Sequence, residues 1–224
     1  MSAGAVRTPE DRAPLSSIRR ALVLSPHTDD GEFGCGGTMA RLIEQGTGVW
    51  YAAFSACEES VPSHLPKDVL VHEVARALDA LGVAPDQRSL FRYPVRRFDE
   101  HRQDILEQIW NLRREIDPDL VIIPSHDDLH QDHQVIAREG LRVFKGRSVL
   151  GYELPWNNIR FESRAFVCLE DAHLAKKVKA VLCYESQAHR PYAKEEFIRA
   201  LATTRGVQIS APYAEAFDVC RWIV

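Results

Sequence analysis

Short apolar runs alternate along this chain with amphipathic stretches. ALVLS (21–25) and LVIIPS (120–125) are continuous apolar runs, the pattern of parallel strands buried on both faces. VWYAAFSA (49–56), SLFRYP (89–94) and segments near 148–154 and 165–169 read as further strands, with FDVCRWIV (217–224) as a last one. Between them the period changes to that of a helix. Val74, Ala77, Leu78 and Leu81 share one helical face, which Gly82 ends. Ile105, Ile109, Leu112 and Ile116 do the same within 99–116, and Leu174, Val178, Val181 and Leu182 within 171–187. Helices are also expected from about Gly37 to Gln45, stopped by Gly46, and from near His133. Strands alternating with helices predict an α/β fold: a doubly wound, mostly parallel sheet with helices on both faces.

The 224 residues suit a single domain of this kind. Residues 1–18 contain no apolar core of a secretory signal and read as a flexible N-terminal arm, leaving 19–224 as the α/β domain. Five scattered cysteines without a C-x-x-C fit reduced thiols and a cytoplasmic location. A net charge of −4, with no basic tail or stripe, argues against nucleic-acid partners, and no apolar run is long enough to span a membrane. The composition is compatible with a homo-oligomer but does not require one.

Two polar clusters follow apolar runs directly. The first is SPHTDDGEFGCGG (25–37), after the first strand; the second is SHDDLHQDH (125–133), after the fourth. In a doubly wound sheet of strand order 3-2-1-4, strands one and four are neighbours, and ligands bind beyond their carboxyl ends, where the order reverses. The clusters then meet. A dinucleotide does not fit them. Gly34 and Gly36 match the first two glycines of G-x-G-x-x-G, but Met39 takes the third position, and Asp29, Asp30 and Glu32 repel a pyrophosphate. A metal does fit. His27 and Asp30 are three apart, as are His130 and His133, and two imidazoles with one carboxylate and a water complete a tetrahedron. His126 competes with His130 and His133, while Cys35 reads as small packing.

PHTDDGEFGCGGT and HQDH resemble the two signatures of the PIG-L-type (LmbE-like) de-N-acetylases, with weaker echoes in HEVARALDALGV, CYESQ and AEAF. The resemblance implies a Rossmann-like fold and a zinc enzyme that removes acetyl from N-acetylglucosaminyl conjugates. It implies His27, Asp30 and His133 as metal ligands, Asp29 as general base, His130 as the polar group facing the oxyanion, and Asp132 as the group orienting His130 or a ligand. The chain departs from the family pattern at Thr28 and Gly31, and at Leu70, where an arginine often helps to hold the sugar.

Substrate contacts are expected from Trp156, by stacking on a sugar face, and from Asn157, by bonding its hydroxyls. Arg97, in a run with Arg92, Arg96 and Arg102, can grip an anionic group or can be part of a solvated face. The expected partner is a small amino-sugar conjugate. Rival readings are an amidase acting on a different N-acyl small molecule, an inactive sugar-binding relative, and an Fe(II) enzyme, since two histidines and a carboxylate also form an iron site.

Overall fold

The computed structural model describes residues 18–223. Its elements run β1 (Arg20–Ser25), α1 (Asp30–Glu44), β2 (Gly48–Ala53), α2 (Val69–Leu81), β3 (Arg88–Leu90), α3 (Arg102–Ile116) and β4 (Leu120–Pro124). They continue with α4 (Gln131–Val143), β5 (Ser148–Tyr152), β6 (Ala165–Leu169), α5 (Asp171–Leu182), α6 (Glu195–Val207) and β7 (Tyr213–Arg221). One seven-stranded sheet has the order β3-β2-β1-β4-β5-β7-β6. β1 to β5 pair in parallel, and β7 runs antiparallel to both β5 and β6. This is a single α/β domain, and the 3-2-1-4 order puts β1 beside β4.

Side-chain alternation divides the core between the two faces of the sheet. Ala21 and Val23 of β1 pack in the cluster that includes Phe33, Leu78, Val178 and Ile198, so α1, α2, α5 and α6 cover that face. Leu22 and Leu24 pack in the cluster with Ile109 and Ile136, under α3 and α4 on the other face. Gly82 ends α2 at φ +90°, a left-handed cap that glycine adopts without cost.

Several expectations need correction. Ile18, assigned to the arm, is buried in the core, and its carbonyl accepts a bond from Thr47 Oγ1 (2.8 Å); residues 1–17 lie outside the described ones. The third strand is only three residues long, although Phe91 N and Tyr93 N beyond it still donate to Ala53 O and Phe54 O. α6 is absent from the sequence reading because its buried face is Ile198, Ala202 and Gly206, too small to mark a period. The last strand starts earlier than expected and enters between β5 and β6.

The largest correction concerns α1, which begins at Asp30, seven residues before the expected start. It is broken at Cys35 (φ −145°, ψ 22°), and its second part starts near Gly37, where a helix was expected. Glu215 of β7 caps that second part, accepting from Gly37 N (2.9 Å) and Thr38 N (2.6 Å), and is itself paired with Lys177 Nζ (2.6 Å). The glycines allow close contact with the sheet. A Cβ on Gly34 would overlap the ring of Tyr152.

Candidate active site

The β1/β4 switch point brings the two polar clusters together. The turn Pro26–Asp29 leaves β1, and the segment from Ser125 leaves β4 and leads into α4 at Gln131. His27 Nδ1, Asp30 Oδ2 and His133 Nε2 form a triangle with edges of 3.0 Å (His27–Asp30), 3.2 Å (His133–Asp30) and 3.2 Å (His133–His27). Three donors about 2.0–2.1 Å from a tetrahedral centre stand about 3.3–3.4 Å apart, so these atoms are spaced as ligands of one small dication. His130 is the next donor: a nitrogen of each of His27, His130 and His133 lies within 4.8 Å of the others.

Carboxylates behind His27 and His133 fix the orientation of both rings. Asp132 Oδ2 contacts His27 Nε2 (2.9 Å) and accepts from the backbone N–H of Arg96 (2.6 Å), while its Oδ1 accepts from Phe98 N (3.2 Å). The Asp132 carboxylate thus orients His27, while its backbone N–H bonds His130 Nδ1. Asp128 does the same for His133, through Nδ1 (2.7 Å), and also accepts from His130 N (2.8 Å). Sequence reasoning passed over Asp128. Its one signal was the pair Asp127–Asp128 after β4, and only Asp128 turns inward.

The electrostatics suit a cation. Burial disfavours charge on His27, but Asp30 and Asp132 outweigh it and raise the ring to about 9. Burial likewise opposes charge on His133, and Asp30 and Asp128 raise it to about 10. Burial also opposes ionisation of Asp30, yet the two imidazoles hold it well below the ordinary carboxylate range. Without a metal, protons neutralise this cluster. Asp29, the N-cap residue of α1, is raised to about 6 by burial and by the charge of Asp30. Burial and the two neighbouring imidazoles lower His130 to about 4. Its Nδ1 accepts from Asp132 N (3.2 Å), so the proton of the neutral ring sits on Nε2.

A buried carboxyl supports the turn from below. The hydroxyls of Tyr51 and Tyr184 both bridge Thr28 O (2.9 and 2.5 Å) and the carboxyl of Glu32. Burial raises Glu32 to about 8, so at neutral pH it is protonated and adds a donor to the network.

An open cavity of about 350 Å³ lies over the cluster, within the range of small-molecule sites. Asp29, Asp30, His27, His130 and His133 line its floor. Trp156 and Asn157 line its wall, but Trp156 is stacked on Tyr192 (3.9 Å between ring centres, 10° between planes), which leaves it at most one face for a sugar. Asn157 Nδ2 also approaches Asp128 Oδ2 (3.5 Å). Arg97 does not line the cavity. It is exposed and paired with Glu100 (2.6 Å), and its segment serves the site through the backbone N–H groups given to Asp132. His126 also lies outside the lining.

The switch-point crevice gathers paired histidine and aspartate donors beside a further carboxylate, a donor set that could hold a metal ion. Residues 22–144 match the PIG-L family, described as GlcNAc-PI de-N-acetylase, and the chain belongs to that family of metal-dependent deacetylases. The uncharacterised deacetylase YaiS of Escherichia coli K12 is 25% identical over 186 residues, covering 79% of this chain and 97% of YaiS. The 1D-myo-inositol 2-acetamido-2-deoxy-α-D-glucopyranoside deacetylase of Kineococcus radiotolerans is 39% identical over 97 residues, 37% of this chain and 27% of that one. Among solved structures, the conserved protein TT1542 of Thermus thermophilus superposes with a TM-score of 0.76 at 26% identity, covering 92% of this chain and 96% of its own.

Proposed function

We propose that the protein is a zinc-dependent hydrolase that removes the acetyl group from an N-acetylglucosaminyl-type conjugate. The observation that carries this reading is the donor triangle of His27, Asp30 and His133, with edges of 3.0–3.2 Å, at the floor of a cavity that also holds the unligated Asp29. Two nitrogens and one oxygen at tetrahedral spacing suit zinc. The sugar is inferred from the family description and from the glucosaminide named for the Kineococcus relative.

When bound, the dication polarises the acetyl carbonyl and makes water a better nucleophile. The remaining work falls to the chain. Asp29 accepts a proton from the attacking water as the new C–O bond forms. His130 donates its Nε2–H to the developing oxyanion. The C–N bond then breaks as Asp29 returns its proton to the nitrogen, giving acetate and a free amine. Asp128 and Asp132 hold His133 and His27 in place throughout.

The test is a panel of N-acetylated sugars with free-amine detection, run with added zinc and with chelator. Asp29→Asn keeps the shape and removes the basicity, so it should retain zinc and lose on the order of 10²–10⁴ in kcat. His130→Ala should lower kcat far more than it raises KM, with zinc content intact. Zinc loss in His130→Ala with full zinc in Asp30→Ala would instead make His130 the third ligand. Near-normal turnover by Asp29→Asn at matched zinc content would remove the proposed base.

A further inference from the structure

The cavity carries one basic group that the chemistry above does not use. Among the described residues lining it, Arg190 is the only arginine or lysine. Arg92 pairs with Glu58, Arg97 with Glu100 and Arg102 with Glu139, and Arg96, which has no ion pair among the described residues, does not line the cavity. The exposed Arg190 guanidinium makes no hydrogen bond or ion pair with the described residues. Its backbone, by contrast, is fixed. Buried Glu73 of α2 accepts from Ser186 N (2.9 Å) and Ser186 Oγ (2.6 Å), Gln187 N bonds Tyr184 O (2.9 Å), and Arg190 N bonds Gln187 O (2.9 Å). Pro191 then opens a short 3-10 turn. A pinned loop thus presents an uncommitted guanidinium to the cavity.

Leu70 adds a second observation. It lies one helical turn before Glu73, is buried, and lines the same cavity. α2 therefore offers an apolar wall, and the loop tied to it through Glu73 supplies the cation. The donor triangle and Asp29 mark the end where the acetamido group would react, whereas Arg190 favours an anion at the loop. That polarity orients a ligand with its acetamido end down and its acidic end toward residues 187–190.

We infer that Arg190 is a specificity-determining residue for a carboxylate or phosphate on the aglycone of the conjugate. The sugar end of this inference rests on the deacetylase reading; the anion contact does not. Arginine presents a planar fork of donors that matches both anions, so the shared chemistry is an oxyanion group outside the sugar ring.

Calorimetric binding of deacetylated glycosides tests the contact without turnover. Three glucosaminides are compared on the zinc-loaded protein, with a methyl, a carboxylate-bearing or a phosphate-bearing aglycone. At least one acidic ligand should bind about 10–100-fold tighter than the methyl glycoside, the range of a hydrogen bond to a charged group. Arg190→Ala should erase that preference and leave methyl glycoside binding unchanged, and Arg190→Lys should restore part of it. Which acidic ligand gains identifies the anion. With the acetylated counterparts, Arg190→Ala should raise KM for the acidic substrate and leave kcat within about twofold. Absence of any preference in the wild type, or its survival in Arg190→Ala, overturns the inference. An anion preference lost in Arg190→Ala, with no amine released from any acetylated glycoside, would retain Arg190 as an anion contact and refute the deacetylase reading.

Discussion

At the residue scale, the two adjacent aspartates at 29 and 30 separate into different tasks because their neighbours differ. Asp30 faces two imidazoles and stays ionised; Asp29 faces Asp30 and burial, which raise it to about 6. The same logic distinguishes Asp127 from Asp128. Both were visible in the sequence, but adjacent aspartates after a strand do not reveal which turns inward. The 2.7 Å contact with His133 decides it. Asp128→Asn keeps the shape and loses the charge behind His133 Nδ1. It should weaken zinc affinity about 10–100-fold, the usual effect of removing a carboxylate behind a metal-bound histidine. Competition against a chelator measures this, and wild-type affinity would refute the role. The residues that sequence reasoning did find, His27, Asp30, His130, Asp132 and His133, stood in two dense motifs whose meeting needed only the neighbouring of β1 and β4. Arg97 stood in the sequence as either an anion contact or part of a solvated face with Asp99 and Glu100, and its pairing with Glu100 matches the second reading.

At the scale of elements, periodicity identified those with large apolar faces, such as α2 and α3, and missed α6, whose buried face is small. The restart of α1 near Gly37 was legible, but its first part and the break at Cys35 were not, since the groups that meet the break come from distant parts of the chain. Glu215 and Lys177 come from β7 and α5, and both are buried where the helix restarts. Glu215→Ala removes the cap from Gly37 and Thr38 and strands Lys177. Breaking such a pair from one side costs about 3–5 kcal/mol, which denaturant unfolding should register. Lys177→Met combined with Glu215→Ala should recover part of the loss, since no buried charge is then left without a partner. A loss below about 1 kcal/mol in the single variant would mean that the break is held by packing of Gly34 against Tyr152 instead. Because the first part of α1 starts at Asp30, the single variant should also bind zinc more weakly.

For the whole molecule, the protonated cluster gives stability a dependence on pH that metal should reverse. His27 and His133 hold their protons to about 9 and about 10 when no metal is present, against an ordinary 6.5. Both values are raised, so the chelated protein has this contribution in full below about pH 6.5 and loses it as pH rises through 9 to 10. Metal must displace those protons, so its affinity increases with pH. At a free zinc concentration about 100 times Kd, it adds about 2.7 kcal/mol to stability. Thermal midpoints followed from about pH 6.5 to about pH 9 should therefore fall in chelator while the gap between zinc and chelator widens. Parallel curves would show that the imidazoles do not exchange protons for metal. No helix among the described residues is long and apolar enough to cross a membrane.

The pairing of β1 with β4 also has a consequence in time. The contacts that close the cluster join residues 105 and 106 positions apart, His27 with Asp132 and His27 with His133. Most of the loop between them must be closed before the three donors face one point, and such distant contacts form slowly. A chain still searching for that pairing offers zinc only isolated groups. The ion should therefore enter after the rate-limiting step, leave the refolding rate unchanged within about twofold, and slow unfolding by nearly the full factor that it contributes at equilibrium. Stopped-flow refolding and unfolding with and without zinc separates the two rates. Faster refolding with zinc would place the joining of β1 and β4 before the barrier, with the site already assembled at the transition state.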